Sequence, residues 1–288
     1  MDFGNVLTAM VTPFDDEGRL DLNKTEKLVE YLIANGSEGL VLGGTTGESP
    51  TLSNEEKLQL FTAVKEMVNN RVPVLAGTGS NHTQAAVELT KQATKTGVDG
   101  IMLVTPYYNK PNEEGLYLHF KTIAESTSLP VMLYNVPGRS VVNMSVDTTV
   151  ELSKISNIVS TKDASGDIDM MSEIIERTDD SFSLYVGDDS MTLPSLAVGS
   201  KGVVSVSAHV IGNEMKQMVD AFRLGHTTQA AQIHRKILPK MKACFMAPSP
   251  APVKAALNYY GIDVGSVRLP LVDLSLEEFN TLKTVLDQ

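Results

Sequence analysis

The chain has a single cysteine, Cys244, so no internal disulfide can form and a thiolate metal cluster is excluded, which suits a reducing, cytoplasmic compartment. It is also short of positive charge: 24 Lys and Arg stand against 35 Asp and Glu, for a net charge of −11. With no basic cluster beyond isolated pairs, nucleic acid and anionic membrane surfaces are repelled at long range and drop out as partners. No apolar stretch approaches the roughly 20 residues needed to span a bilayer. The opening residues, Met1-Asp2-Phe3-Gly4-Asn5, carry neither the basic nor the apolar segment of a secretory leader. The histidines, His82, His119, His209, His226 and His234, show no ligand spacing. Only His82 and His209 lie near strand ends, so solvated or core roles are expected of them and no metal site is.

What is present is the composition of a soluble globular enzyme, 42% apolar and 20% charged, at a length of 288 residues that suits one α/β barrel with an appendage. Short apolar runs alternate with helical periodicity. Residues 6–11, 39–42, 72–76, 100–104, 130–134, 157–162, 183–186 and 202–206 read as buried strands. Helices are predicted over 22–34, from a Ser53–Glu56 capping box to about 69, and over 83–96, 113–125, 145–154, 192–197 and 212–224. Counted as units, eight strands alternate with helical segments, seven of which take bounds from the sequence, and this predicts a (β/α)8 TIM barrel over residues 1–225. No strong dinucleotide fingerprint supports the rival, a doubly wound sheet. Beyond His226 the strand pattern stops, and 228–241, 251–259 and 275–286 read as the helices of a small C-terminal helical domain, residues 226–288.

In such a barrel the loops after the strands build the site. Lys162 ends an apolar run and is followed at once by the turn formers Asp163-Ala164-Ser165-Gly166-Asp167, so a buried strand is expected to deliver its amine to the carboxyl end of the barrel. Burial penalises the ammonium, lowers its pKa and makes the free amine a nucleophile toward a ketone; a solvated lysine past a strand end is the plainer alternative. The loop after the second strand sets Thr45 and Thr46 between glycines, either a holder for a carboxylate or phosphate or simply a tight turn. The fourth strand leads to Tyr107 and Tyr108. The fifth ends in Tyr134 with Arg139 close behind, a surface charge or the fixed cation for a substrate carboxylate. Asp188-Asp189 after the seventh strand is the one carboxylate pair in a promising place, and turn chemistry explains it equally well.

The stretches Gly44-Thr45-Thr46-Gly47-Glu48-Ser49, Tyr134-Asn135-Val136-Pro137-Gly138-Arg139 and Lys162-Asp163-Ala164-Ser165-Gly166 resemble the signatures of the dihydrodipicolinate synthase family of pyruvate-dependent aldolases. Tyr107-Tyr108-Asn109-Lys110-Pro111 and Met246-Ala247-Pro248 share the likeness, which runs over essentially the whole chain. Arg139 separates the synthases from sugar-acid aldolases such as N-acetylneuraminate lyase, the alternative reading, which do not keep it after the tyrosine-asparagine pair. The resemblance implies an imine between Lys162 and pyruvate, condensed with L-aspartate 4-semialdehyde to 4-hydroxy-tetrahydrodipicolinate on the route to diaminopimelate and lysine. It implies that Tyr134 shuttles protons, tuned by Thr45 and Tyr108. It further implies that Thr46 holds the pyruvate carboxylate, that Val204 lines the pocket with its backbone carbonyl, and that Arg139 binds the semialdehyde carboxylate. No organic cofactor and no metal are implied. Tyr108 comes from the neighbouring subunit in this family, so at least a homodimer is implied, and by family habit a homotetramer of two dimers.

Some members of the family are inhibited by lysine in a cleft at the dimer interface, lined by resemblance here by Ser49, Pro50, Asn54, Lys57, Asn81, Ala85 and Tyr107. Lysine-sensitive members hold two histidines and a glutamate where this chain has Asn54, Lys57 and Ala85, so weak or absent sensitivity is expected.

Overall fold

The computed structural model of the chain describes residues 2–288. Eight strands pair in parallel in chain order: β1 (Val6–Ala9), β2 (Gly39–Leu42), β3 (Val74–Gly77), β4 (Gly100–Val104), β5 (Val131–Asn135), β6 (Ile158–Asp163), β7 (Ser183–Val186) and β8 (Gly202–Ser205). β8 returns to pair with β1, so the sheet closes on itself as the expected (β/α)8 barrel. Between the strands run α1 (Leu22–Ala34), α2 (Asn54–Val68), α3 (Thr83–Thr94), α4 (Glu113–Ala124), the single turn α5 (Pro137–Ser140), α6 (Val146–Ser153), α7 (Ile168–Arg177) and α8 (Thr192–Ala197). After β8 come α9 (Ala208–Arg223), α10 (Thr227–Ala243), α11 (Ala251–Tyr259) and α12 (Leu276–Leu286). Among the described residues no helix is long and apolar enough to cross a membrane.

A strand covered on both faces needs apolar side chains at both parities, and these strands have them. Leu7, Val41, Leu75, Met102, Met132, Tyr185 and Val204 fill the inside of the barrel, while Val6, Leu40, Val74, Ile101, Val131, Leu184 and Val203 pack outward under the helices. Each fully buried side chain of this kind contributes roughly 1.5–3 kcal/mol. The capping box is present as expected: Ser53 accepts from Glu56 N and Glu56 reaches back to Ser53 N.

Besides the unread turn α5 and shifts of a residue or two at other ends, three elements differ from the sequence reading. The first strand ends at Ala9 and not at residue 11, because the Val11 N–H leaves the ladder to donate to the ring of His209 at 3.1 Å. α9 starts at Ala208, ahead of the expected glycine, and carries a break at Ile211 (φ −133°, ψ 33°). Gly212 is there for close approach, since a Cβ would stand 2.1 Å from the Asn35 carbonyl oxygen. α7 took no bounds from sequence, because Asp167, read as the end of a turn, is also the residue that caps the helix by accepting from Met170 N at 3.0 Å.

Candidate active site

The register pairs Lys162 with Tyr134 on β5 and with Tyr185 on β7. Partners across parallel strands share a face, so the three side chains enter the barrel together. Tyr185 turns to the floor, where its hydroxyl donates to the Gly4 carbonyl at 3.0 Å. Tyr134 and Lys162 are each 5% exposed, and the Lys162 Nζ lies 4.1 Å from the Tyr134 ring centroid. No ion pair among the described residues includes Lys162 or Arg139.

The nearest carboxylate in sequence is turned the other way. Asp163 accepts from Asn135 Nδ2 at 2.9 Å, from Ser165 N at 3.0 Å and from Ser165 Oγ at 2.5 Å. Asn135 in turn donates to Asn143 Oδ1 at 2.8 Å and accepts from Met144 N at 3.1 Å. The residues that follow Tyr134 and Lys162 are therefore buried and cross-tied, which fixes the heights of both strand ends. Sequence reasoning missed this tie, and it missed Gly187. A Cβ at Gly187 would stand 2.8 Å from Lys162 Cε and 2.9 Å from Ala164 Cβ, so only glycine leaves the lysine its path.

Above Lys162 opens a cavity of about 530 Å³ whose lining includes Thr45, Thr46, Tyr134, Arg139, Lys162 and Asp188, with Met241, Lys242 and Phe245 closing it from α10 and the residues after it. Thr46 is buried, Thr45 partly so, and Arg139 stands exposed on α5 at the rim. A second cavity, about 430 Å³, shares Thr45, Tyr134, Val136 and Arg139 as a common wall. Its far side holds Ser49, Pro50, Asn54, Lys57, Ala85 and Tyr107, and burial pushes the Lys57 amine below its ordinary pKa with no carboxylate opposing the shift. Asn81 lies outside this lining; its carbonyl accepts from Asn109 Nδ2 at 2.9 Å.

Two expected site residues stand apart. Tyr108 is 90% exposed and lines neither of these cavities, and its backbone is left-handed at φ 73°, a conformation that costs a non-glycine residue about 1–3 kcal/mol. Val204 is buried inside the barrel, and the β8 side of the cavity is lined by Val206 instead. The carboxylate pair also divides. Asp189 is buried as a tie between strand ends, accepting from Ser205 Oγ and from the N–H groups of Val206 and Ser207 at 3.2 and 3.1 Å; burial raises its pKa against the pull of those donors. Asp188 accepts from Ser190 N and Oγ, both at 2.9 Å. Of the solvated and core roles expected, His209 takes the core one: Nε2 accepts from Val11 N and Nδ1 donates to the Val206 carbonyl, with burial pushing its pKa down to about 4.

The sequence profile of the dihydrodipicolinate synthetase family matches residues 2–288. The 4-hydroxy-tetrahydrodipicolinate synthase 2 of Halalkalibacterium halodurans is 62% identical over 288 residues, covering 100% of this chain and 99% of that protein. A solved dihydrodipicolinate synthase from Bacillus anthracis superposes with a TM-score of 0.99 at 60% identity, covering 100% of this chain and 99% of the other. Another, from Cyanidioschyzon merolae and solved with lysine bound, superposes with a TM-score of 0.97 at 43% identity, covering 99% of this chain and 97% of the other.

Proposed function

The chain belongs to the dihydrodipicolinate synthetase family and is a lyase that condenses pyruvate with L-aspartate 4-semialdehyde to 4-hydroxy-tetrahydrodipicolinate, and from that premise we propose that Lys162 carries the reaction as an imine-forming amine. The observation that carries this reading is the setting of the amine: buried, at the cavity floor, against the Tyr134 ring at 4.1 Å and bound to no carboxylate. Lys162 Nζ attacks the pyruvate ketone and water leaves, forming the imine. The imine draws electrons from C3, whose methyl loses a proton to give the enamine. C3 then attacks the aldehyde carbon of the semialdehyde, and the new alkoxide takes a proton. The amino group of the joined chain attacks C2, closes the ring and expels Lys162. One water is lost overall, in the first step.

Each addition and elimination moves a proton, and Tyr134, beside Nζ, is the shuttle, with Thr45 on the shared wall next to it. Thr46 takes the pyruvate carboxylate. Arg139, at the rim and without an ion-pair partner among the described residues, takes the semialdehyde carboxylate bidentately. Val206, just past β8, borders the site where Val204 was expected. Tyr108, strained and exposed, completes the proton relay of a neighbouring subunit, so the active unit is at least a two-fold dimer exchanging this residue, with two dimers joining as a tetramer. Lysine, bound by the relative from Cyanidioschyzon merolae, is a poor ligand for the cavity that holds Lys57.

Borohydride reduction in the presence of pyruvate tests the central step. A carboxyethyl group is expected on Lys162 by peptide mass spectrometry. An adduct on another lysine, or none at saturating pyruvate, sinks the reading. Sedimentation at low concentration tests the exchange, since a fully active monomer contradicts it.

A further inference from the structure

Thr45 and Thr46 hang on the loop after β2, and that loop ends in Glu48, whose backbone is left-handed at φ 56° although it is not a glycine. Two groups from far along the chain meet its buried carboxylate: Lys254 Nζ, on α11, at 2.7 Å, and the N–H of Arg268 at 2.8 Å. Lys254 donates as well to the Ser266 carbonyl at 2.8 Å and lies 4.2 Å from the Phe14 ring centroid. The Arg268 guanidinium is 4.2 Å from the same ring, donates to the carbonyls of Gly18 and Thr51 at 2.7 Å each, and bonds Glu56. From the other side Thr12 Oγ1 donates to the Gly47 carbonyl at 2.7 Å. The threonine loop is thus clamped between the segment after β1 and the C-terminal segment.

Neither Glu48 nor Lys254 lines the cavities of the site. Nor does a buried ion pair explain itself by stability, because desolvation of the two charges consumes most of their attraction, and an uncharged pair of similar volume commonly serves as well. What such a pair does supply is fixed geometry, and the left-handed backbone at Glu48 is a conformation that the surrounding structure has to impose. On the reading above, in which Thr46 holds the pyruvate carboxylate, we infer that Glu48 and Lys254 are positioning residues for pyruvate, a buried strut from α11 that sets the Thr45–Thr46 loop against Lys162. The semialdehyde carboxylate is taken by Arg139 on α5, an element the strut does not touch, so the two substrates respond differently to its loss.

The test reads pyruvate and semialdehyde separately in Glu48→Gln, Lys254→Met and the double variant. Trapping by borohydride over a pyruvate series gives the half-saturating concentration, kinetics give the semialdehyde KM, and calorimetry gives Tm. Each single variant is expected to need roughly tenfold more pyruvate, the cost of a loop displaced by a fraction of an ångström, with the semialdehyde KM within about twofold of the parent. The double variant regains Tm, having no unpaired buried charge, but not pyruvate affinity. Recovery of pyruvate half-saturation together with Tm would reduce the pair to a structural role and overturn the inference, as would equal changes for both substrates. If the single variants do not fold, the double variant decides alone. Absence of any Lys162 adduct in the unaltered protein is a different failure: it removes the imine reading, and the positioning role with it.

Discussion

Lys162 and Lys254 are both shut away from solvent, 5% and 1% exposed, and they use burial in opposite ways. The Lys254 ammonium meets a carboxylate at 2.7 Å, a carbonyl at 2.8 Å and an aromatic face at 4.2 Å, so its charge is answered. Burial still pushes its pKa down, against the pull of Glu48. Lys162 has only an aromatic face at 4.1 Å, and the carboxylate beside it in sequence is bonded to Asn135 and Ser165. A buried amine bound to a carboxylate is a strut, since moving it strands two charges. One held by a π-face alone is free to bond carbon.

The sharpest break in this comparison comes from deleting the two amines in turn. Lys162→Ala is expected to lower kcat by about 10⁴-fold or more, roughly 5.5 kcal/mol of barrier, while leaving the melting temperature near the parent value. Lys254→Met keeps most of kcat. If turnover survived in Lys162→Ala, the amine would not be the nucleophile, whatever its burial.

His209 is a third buried base and shows what burial does where the ring bonds only to backbone groups. Its pKa is pushed from 6.5 to about 4 by burial, only partly opposed by the Val206 carbonyl. The folded value lies below the unfolded one, so as pH falls the unfolded chain takes the proton first. Stability is therefore complete above the unfolded value and is lost between about pH 6.5 and about pH 4, with a ceiling near 3 kcal/mol. Melting temperatures of the parent and of His209→Gln across that window check this. The variant starts lower and its curve is flatter; parallel curves would show that His209 does not titrate on unfolding.

Gly187→Ala tests whether the freedom of Lys162 is real space. The added carbon would sit 2.8 Å from Lys162 Cε and must displace it, for which a loss of about a hundredfold in kcat/KM, roughly 2.7 kcal/mol, is expected. A near-normal rate would mean that the side chain reaches pyruvate by another path.

Gly187 also marks where the sequence stopped being informative. The barrel was legible because strands alternate with helical periods along the chain, and the placing of Lys162, Tyr134, Thr46 and Arg139 around one cavity because each lies at or after the end of an apolar run, where barrels place their chemistry. Nothing local distinguishes Gly187 from a turn glycine, since its meaning lies in a lysine on the adjacent strand. The same holds for the clamp on the threonine loop: Arg268 meets Glu48 across 220 residues, and no spacing rule reaches that far. α7 was illegible for a local reason, a capping aspartate that reads equally well as a turn.

The smallest expected effect concerns Lys57, the amine between the two extremes. It is partly buried on α2, facing a cavity whose lining contains no Asp or Glu, and burial lowers its pKa with no carboxylate to oppose it. A free lysine entering that cavity would bring two ammonium groups to a wall that offers a third. The charge-assisted acceptor it lacks is worth about 1.5–3 kcal/mol, or roughly tenfold to a hundredfold in affinity. Initial rates at saturating pyruvate are therefore expected to change less than about twofold up to roughly 1 mM lysine. Half-inhibition at submillimolar lysine would show that the cavity supplies an acceptor these residues do not. Ala85→Glu approaches the question from the other side: a carboxylate on this wall, introduced beside Lys57 and open to the cavity, is expected to bring inhibition into the millimolar range. If it does not, Lys57 takes the new charge for itself, and the cavity turns an amine away as Lys254 would, by having its carboxylate already bound.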